Sequence, residues 1–313
     1  MLFQWVPIVY AAPIELSLQQ AVNLALTNNP SGKIAVFDYE AAKGTLTATR
    51  SYRWPTISYT NKASWTNNGQ YYNQSNYYVD EKMIDTMSNT LAFNWILWSG
   101  NKIESQVSQA KLNLDSSQWG VALARQQLKY NATDGYYKVM AARDAVKLCE
   151  ESVDRLKQYL RDVNLQFSVG VVAKVDVLRS EVSLAQAQEN LINAQNTYDL
   201  AMANLNNIIG LPLTTFLKVA GDLSYTNYTE ALEKCTDIAL QQRPEISQST
   251  DAAKSAQEAI TIAKAGYLPT VSATFQTGWY DNTFAGGNNY NWTAYLTTNW
   301  TFMDSGLTAG KIK

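Results

Sequence analysis

Proline is absent from the chain between Pro55 and Pro212. That absence constrains the fold more than any motif, because proline and glycine are the residues that stop helices and turn chains. Inside this span, residues 101–166 read as one unbroken helical pattern. Such a helix is on the order of 100 Å long at about 1.5 Å per residue, more than a compact domain of this size can hold. Its second half carries apolar or small residues at alternating spacings of four and three: Val139, Ala142, Val146, Cys149, Val153, Leu156, Leu160, Val163 and Phe167. This is the heptad of a helix-on-helix seam. Beyond Val169-Gly170-Val171 a second heptad runs through Val177, Ser180, Leu184, Ala187, Leu191, Ala194, Tyr198, Ala201, Leu205 and Ile208. Large residues alternate there with small ones, so that knobs from a close neighbour can interlock. The two segments predict an antiparallel helical hairpin, with Gly170 ending the outgoing helix at positive φ and Asp176 starting the return. The tip residues Phe167, Val169, Val171 and Val172 are apolar at the far end of the hairpin. Either they form a docking site or sister helices cover them.

From Pro55 the period changes to two. Ile57, Tyr59, Ala63 and Trp65 alternate with Thr56, Ser58, Thr60, Lys62, Ser64 and Thr66, and Met87, Leu91, Phe93, Trp95 and Leu97 alternate with Ser88, Thr90, Ala92 and Asn94. The polar, tyrosine-rich stretch between the two runs reads as the loop of a β-hairpin. The design recurs later. An offset of 214 residues lays Pro30 on Pro244, Pro55 on Pro269, Ile57 on Val271 and Trp65 on Trp279. An offset of 205 lays Leu91, Asn94 and Trp95 on Leu296, Asn299 and Trp300, and one more residue lays Ser99-Gly100 on Ser305-Gly306. The chain therefore reads as a tandem duplication of helix, strand, strand, helix, helix, its second copy stopping where a second helical hairpin is expected, as in a C-terminally truncated fragment. The expected division is a signal-peptide remnant over 1–12, a first repeat over 13–210, a linker over 211–228 and a truncated second repeat over 229–313. The first repeat holds a helix at 15–52, strands at 55–67 and 86–99, and helices at 101–166 and 175–209. The second holds a helix at 229–266, strands at 269–281 and 291–303, and a helix start at 307–313.

Composition narrows the function classes. The chain has no histidine, the commonest general base and metal ligand, and no phosphate-binding loop or metal cluster is visible. No catalytic residue, metal site or cofactor is expected. A net charge of -2 gives no reason to expect a nucleic-acid partner. Cys149 and Cys235 lie far apart without zinc-like spacing; some 20 Å separates them along the expected helices, so both are expected to be inert packed thiols. No apolar run reaches the roughly 18 residues of a spanning helix. The two-faced strands leave two readings, a sandwich core or a membrane β-barrel, whose signature is alternating segments of about ten residues with aromatic ends. Four strands cannot close a barrel, and open edges are not tolerated in lipid, so on the second reading several chains share one.

With tip, strands and duplication in place, the chain resembles the TolC-like outer membrane efflux family. The resemblance rests on Gln166-Phe167 through Val169-Gly170-Val171 and Asp176-Val177 at the tip and on the alanine-rich return helix ending "NLNNIIG". It rests also on "YLPTVSAT" opening a strand and on "WSG" and "DSG" closing strands before a helix. The implied architecture is α+β: long antiparallel coiled-coil helices extending into the periplasm, and two β-hairpins contributing to a transmembrane barrel shared by a homotrimer. Ile57, Tyr59, Trp65, Phe93, Trp95, Val271, Phe275, Trp279 and Trp300 would face outer membrane lipid. Phe167, Val169, Gly170, Val171 and Asp176 would dock a periplasmic adaptor protein, which links the duct to an inner membrane transporter. Arg161 and Asp162 would belong either to a polar network at the tunnel mouth or to a solvated helix face. The function implied is passive conduction in a tripartite efflux or type I secretion system. The alternative is a coiled-coil adaptor or structural envelope protein that forms no pore.

Overall fold

The computed structural model describes residues 14–67, 83–281 and 289–313. The expected signal remnant, the tyrosine-rich loop and most of the second hairpin loop lie outside these residues. The element order is β1 (Ile14–Leu16), α1 (Leu18–Asn28), α2 (Pro30–Ser51), β2 (Thr56–Asn67), β3 (Met83–Trp98), α3 (Lys102–Ser168) and α4 (Lys174–Ile209), followed by β4 (Leu217–Val219), α5 (Leu232–Gln242), α6 (Pro244–Lys264), β5 (Thr270–Asp281), β6 (Asn289–Asn299) and α7 (Leu307–Ile312). The fold is α+β.

The helix expected over 15–52 is a strand and two helices. Ser17 opens α1 with a reciprocal cap: its hydroxyl accepts from the Gln20 backbone N–H (3.3 Å), and the Gln20 side chain accepts from the Ser17 N–H (2.9 Å), the S-x-x-Q capping box. Asn29 ends α1 at ψ 128°, because a residue before proline is pushed out of the helical region, and Pro30 then starts α2 at the position where a missing N–H costs nothing. The same break divides the helix expected over 229–266, at Arg243 with ψ 124° before Pro244. The segment expected as a linker over 211–228 contains β4, whose residues Leu217–Val219 pair in parallel with Ile14–Leu16. The strand expected over 291–303 ends at Asn299. Beyond it the backbone turns through positive φ at Ser305 and Gly306.

Two compact units are present, and they cut across the sequence repeats. One takes residues up to Asp38 with Trp119–Glu245, the other Tyr39–Gln118 with Ile246–Lys313. The core of the first gathers Leu16, Ala21 and Ala25 with Ala132, Tyr136, Val139 and Met140 of α3, Leu205 and Ile209 of α4, and Leu217 and Val219 of β4. Tyr136 ties this core together: its buried hydroxyl reaches the carbonyl oxygens of Leu16 and Ala220. Arg143, two turns on, donates to the carbonyls of Val219 (3.3 Å) and Gly221 (3.2 Å).

In the second unit a four-stranded antiparallel sheet has the order β2-β3-β5-β6. A smaller cluster of Leu46, Val107 and Ala110 packs the helices beside it. The strand ends are built alike in the two halves of this unit. The indole of Trp95 donates to the carbonyl of Arg53 (3.0 Å), and that of Trp300 donates to the carbonyl of Tyr267 (3.1 Å). Two successive residues at positive φ follow each strand pair, Gly100-Asn101 and Ser305-Gly306. These backbone turns superpose at the offset of 205, so the match of Ser99-Gly100 to Ser305-Gly306 is one residue out of structural phase.

Candidate functional site

The hairpin of α3 and α4 follows its heptads residue by residue. From Val139 to Val163 every named seam position is buried or half-buried, as is every one from Val177 to Ile208. Between Leu178 and Thr197 all residues off the seam are exposed. At the tip the Val171 N–H bonds to the Gln166 carbonyl (2.9 Å) and the Gly170 N–H to the Phe167 carbonyl (3.0 Å), the paired bonds of a Schellman motif, which requires a left-handed residue. Gly170 supplies it at φ 80°. The return helix is capped differently from expectation. Its N-cap is Ala173, and Asp176, three residues in, reaches back to accept the Ala173 N–H (3.3 Å). Alanine has no side-chain acceptor, so the aspartate makes half of a capping box from inside the helix.

Around this turn Phe167 is 41 % exposed, Val169 73 % and Val171 71 %, an apolar end with nothing of this chain over it among the described residues. Lys174 lies with its ammonium 5.6 Å from the centre of the Phe167 ring, within cation–π range. That residue was not singled out from sequence; its signal is a cation seven positions beyond an aromatic across a glycine turn. Arg161 and Asp162 are exposed on the outgoing helix and make no ion pair among the described residues. Cys149 is half-buried on the seam, and Cys235 is half-buried with its thiol 3.8 Å from the Tyr228 hydroxyl.

In the sheet the register sorts side chains by face, because successive residues of a strand point to opposite sides. Ile57 pairs with Phe93, Phe93 with Phe275, Tyr59 with Leu91, Thr277 with Trp292, and Trp279 with Tyr290. Phe275 and Trp292 stack with centroids 6.3 Å apart. Ile57, Tyr59, Trp65, Phe93, Trp95, Phe275 and Trp279 thus share one face. Val271 shares it as well, opposite Trp98 after a bulge between Ile96 and Trp98. Trp300 lies beyond the end of β6 and is held by its indole bond instead. The opposite face is hydroxyl- and amide-bearing, with Ser58 facing Ala92, Thr60 facing Thr90, Thr274 facing Asn94 and Gln276 facing Thr293.

Polar groups interrupt the apolar face at Asn61, Asn89 and Thr277. Asn89, 8 % exposed, accepts through Oδ1 from the Tyr59 hydroxyl (2.7 Å) and from the Asn61 amide (2.6 Å). Its signal in the sequence is two asparagines in the apolar phase of neighbouring strands, where pairing with each other spares each an unsatisfied polar group. Among the described residues no helix is long and apolar enough to cross a membrane, and no group of acidic residues and cysteines is arranged to hold a metal ion.

The family model described as outer membrane efflux protein matches residues 21–211, more than half of the chain. The chain belongs to the outer membrane efflux protein family. Among relatives in this family, the alkaline protease secretion protein AprF of Pseudomonas aeruginosa is 25% identical over 277 residues, covering 84% of this chain and 55% of AprF. The toluene efflux pump outer membrane protein TtgC of Pseudomonas putida is 23% identical over 278 residues, covering 87% of this chain and 56% of TtgC. The chain thus spans about half the length of the curated relatives it matches. In solved structures, the fold is similar to that of CusC, with a TM-score of 0.79 at 15% identity over 98% of this chain and 71% of CusC. It is similar also to the CmeC outer membrane channel of Campylobacter jejuni, with a TM-score of 0.79 at 19% identity over 94% of this chain and 63% of CmeC.

Proposed function

We propose that this chain is a subunit of an outer membrane channel that passively conducts substrates outward in a tripartite efflux or type I secretion system. The observation that carries the reading is the sheet. It has one face of tryptophan, tyrosine, phenylalanine and aliphatic residues, an opposite face of hydroxyls and amides, and its outer strands β2 and β6 paired on one side only among the described residues. In lipid an unpaired strand edge costs several kcal/mol per exposed polar group, and closure with neighbouring copies removes that cost. A homotrimer then builds one barrel of twelve strands, with the aromatic face toward outer membrane lipid and the polar face toward the duct. Relatives named for alkaline protease secretion and for toluene efflux support the same class of work.

The long helices extend into the periplasm on this reading. Phe167, Val169, Gly170, Val171 and Asp176 form the docking tip for a periplasmic adaptor, through which an inner membrane transporter supplies the energy. Lys174 belongs to the same tip. No catalytic step is assigned to the chain. The test is to fractionate membranes of cells expressing it, measure the mass of the detergent-solubilised particle, and record planar-bilayer conductance. A trimer in the outer membrane that conducts ions is expected. A monomer in the soluble fraction without conductance overturns the channel reading in favour of an envelope protein with a sandwich core.

A further inference from the structure

The second unit has a half-open cavity of about 530 Å³ where strands hand over to helices. Its lining includes the apolar Ile262 of α6 and Leu268, and the polar Lys102 at the start of α3, Lys311 of α7, Thr270, Asn299 and Thr301; both lysines are exposed. No carboxylate lines it among the described residues. Neither lysine makes an ion pair there.

Three acids lie close in sequence to the lining and are already committed: Glu258 accepts from the Ser108 hydroxyl (3.0 Å), Glu104 pairs with Arg53, and Asp304 caps the turn before α7. The Asp304 carboxylate accepts from the backbone N–H of Gly306 (3.0 Å) and of Thr308 (2.7 Å). Thr308, which lines the cavity, is 5 % exposed. It is held close because Gly266 has no side chain: a Cβ there would lie 2.7 Å from the Thr308 hydroxyl. Thr308 is therefore packed closely against Gly266, and the lining holds the donors of two lysines without a carboxylate to accept them. A lysine ammonium offers three donors and a full charge, a threonine hydroxyl one donor, and ammonium groups bind phosphate as point charges.

The handover between strand and helix does not itself require these lysines. The offset of 205 that carries Trp95 onto Trp300 carries Lys102 onto Leu307 and Gln106 onto Lys311, so neither lysine recurs at the matching position of the other junction. Two lysines lining one cavity without a carboxylate give it a positive potential that attracts an anion.

We propose that this cavity is a phosphate site, in which Lys102 and Lys311 hold a phosphate group and Thr270, Thr301 and Asn299 supply further hydrogen bonds to its oxygens. A soluble phosphate and the headgroup of an anionic phospholipid share this chemistry, and Ile262 and Leu268 offer apolar contact to the glycerol and first methylenes of a lipid.

The test uses the full chain in uncharged detergent and titrates it calorimetrically with inorganic phosphate and, separately, with short-chain phosphatidylglycerol. Saturable binding of at least one probe is expected, weakened at least tenfold by Lys102→Gln combined with Lys311→Gln. Lys33→Gln, on α2 in the other unit, is expected to leave it unchanged. Thr301→Val, which preserves shape and charge, is expected to weaken it several-fold, which separates site chemistry from misfolding. Phosphate binding alone identifies a soluble anion as the occupant; phosphatidylglycerol binding without phosphate binding identifies a headgroup. No saturable binding of either probe, or an equal loss in Lys33→Gln, overturns the site. Binding is measured without any conductance, so its outcome is independent of the channel reading.

Discussion

A methyl group at Gly278 would overlap the carbonyl oxygen of Asn89 and crowd the Cα of Thr90, both of which belong to the backbone of the neighbouring strand and cannot rotate away. Gly278→Ala is expected to destabilise the β3–β5 pair by about 1–3 kcal/mol, the usual cost of overpacking, read as a lowered thermal midpoint by circular dichroism. An unchanged midpoint would mean that the strands separate there without penalty. Glycine in a strand was readable as a sign of close backbone approach, but which strand approaches was not, because the partner lies almost two hundred residues away. A second residue-scale effect concerns acid. The Lys218 ammonium, 2.9 Å from Glu15, holds that carboxyl below the ordinary glutamate range. A depressed carboxylate contributes stability above its unfolded pKa and loses it as pH falls through the folded one. Amide protection in the β1–β4 ladder is therefore expected to weaken at pH values below the ordinary glutamate range. Glu15→Gln is expected to flatten that dependence, modestly, because the pair is solvent-exposed.

At the scale of elements, two helix ends share one geometry and differ in surroundings. Gly170 and Gly210 both sit at left-handed φ, 80° and 73°, each inside a Schellman pair of bonds. A Cβ at Gly170 would meet nothing within 4 Å, whereas one at Gly210 would lie 2.9 Å from Asn28 Cβ and 3.1 Å from its backbone carbon. Gly170→Ala is expected to cost about 1–2 kcal/mol, the left-handed penalty alone. Gly210→Ala is expected to cost more than that, and chemical denaturation of the two variants measures the difference. Equal losses would show that α1 yields at Asn28. The heptads of α3 and α4 could be read in advance because a seam repeats within one helix and needs no knowledge of the partner. The breaks at Asn29 and Arg243 follow from the prolines behind them, a local rule that the expectation of single helices over 15–52 and 229–266 passed over.

For the whole molecule, the channel proposal and the docking proposal separate cleanly in one variant. Gly170→Trp fills open space at the tip of the hairpin and changes no residue of the sheet. Its oligomeric mass and conductance are expected to match those of the parent chain, while retention of a purified periplasmic adaptor on the immobilised protein falls at least tenfold. Undiminished retention would remove the tip from the docking surface. Periodicity along the chain was enough to reveal the helical hairpin, the alternating strands, the recurrence of the strand pairs and the apolar tip, because period and turn chemistry are properties of a few consecutive residues. Pairings between distant segments were not readable in this way. The parallel ladder of β1 with β4, the Tyr136 hydroxyl on Leu16 and Ala220, the Asn61–Asn89 pair and the joining of Lys102 with Lys311 around one cavity each depend on segments brought together from far along the chain. No local pattern records such a meeting, since the free energy that selects it arises only when both surfaces leave water together.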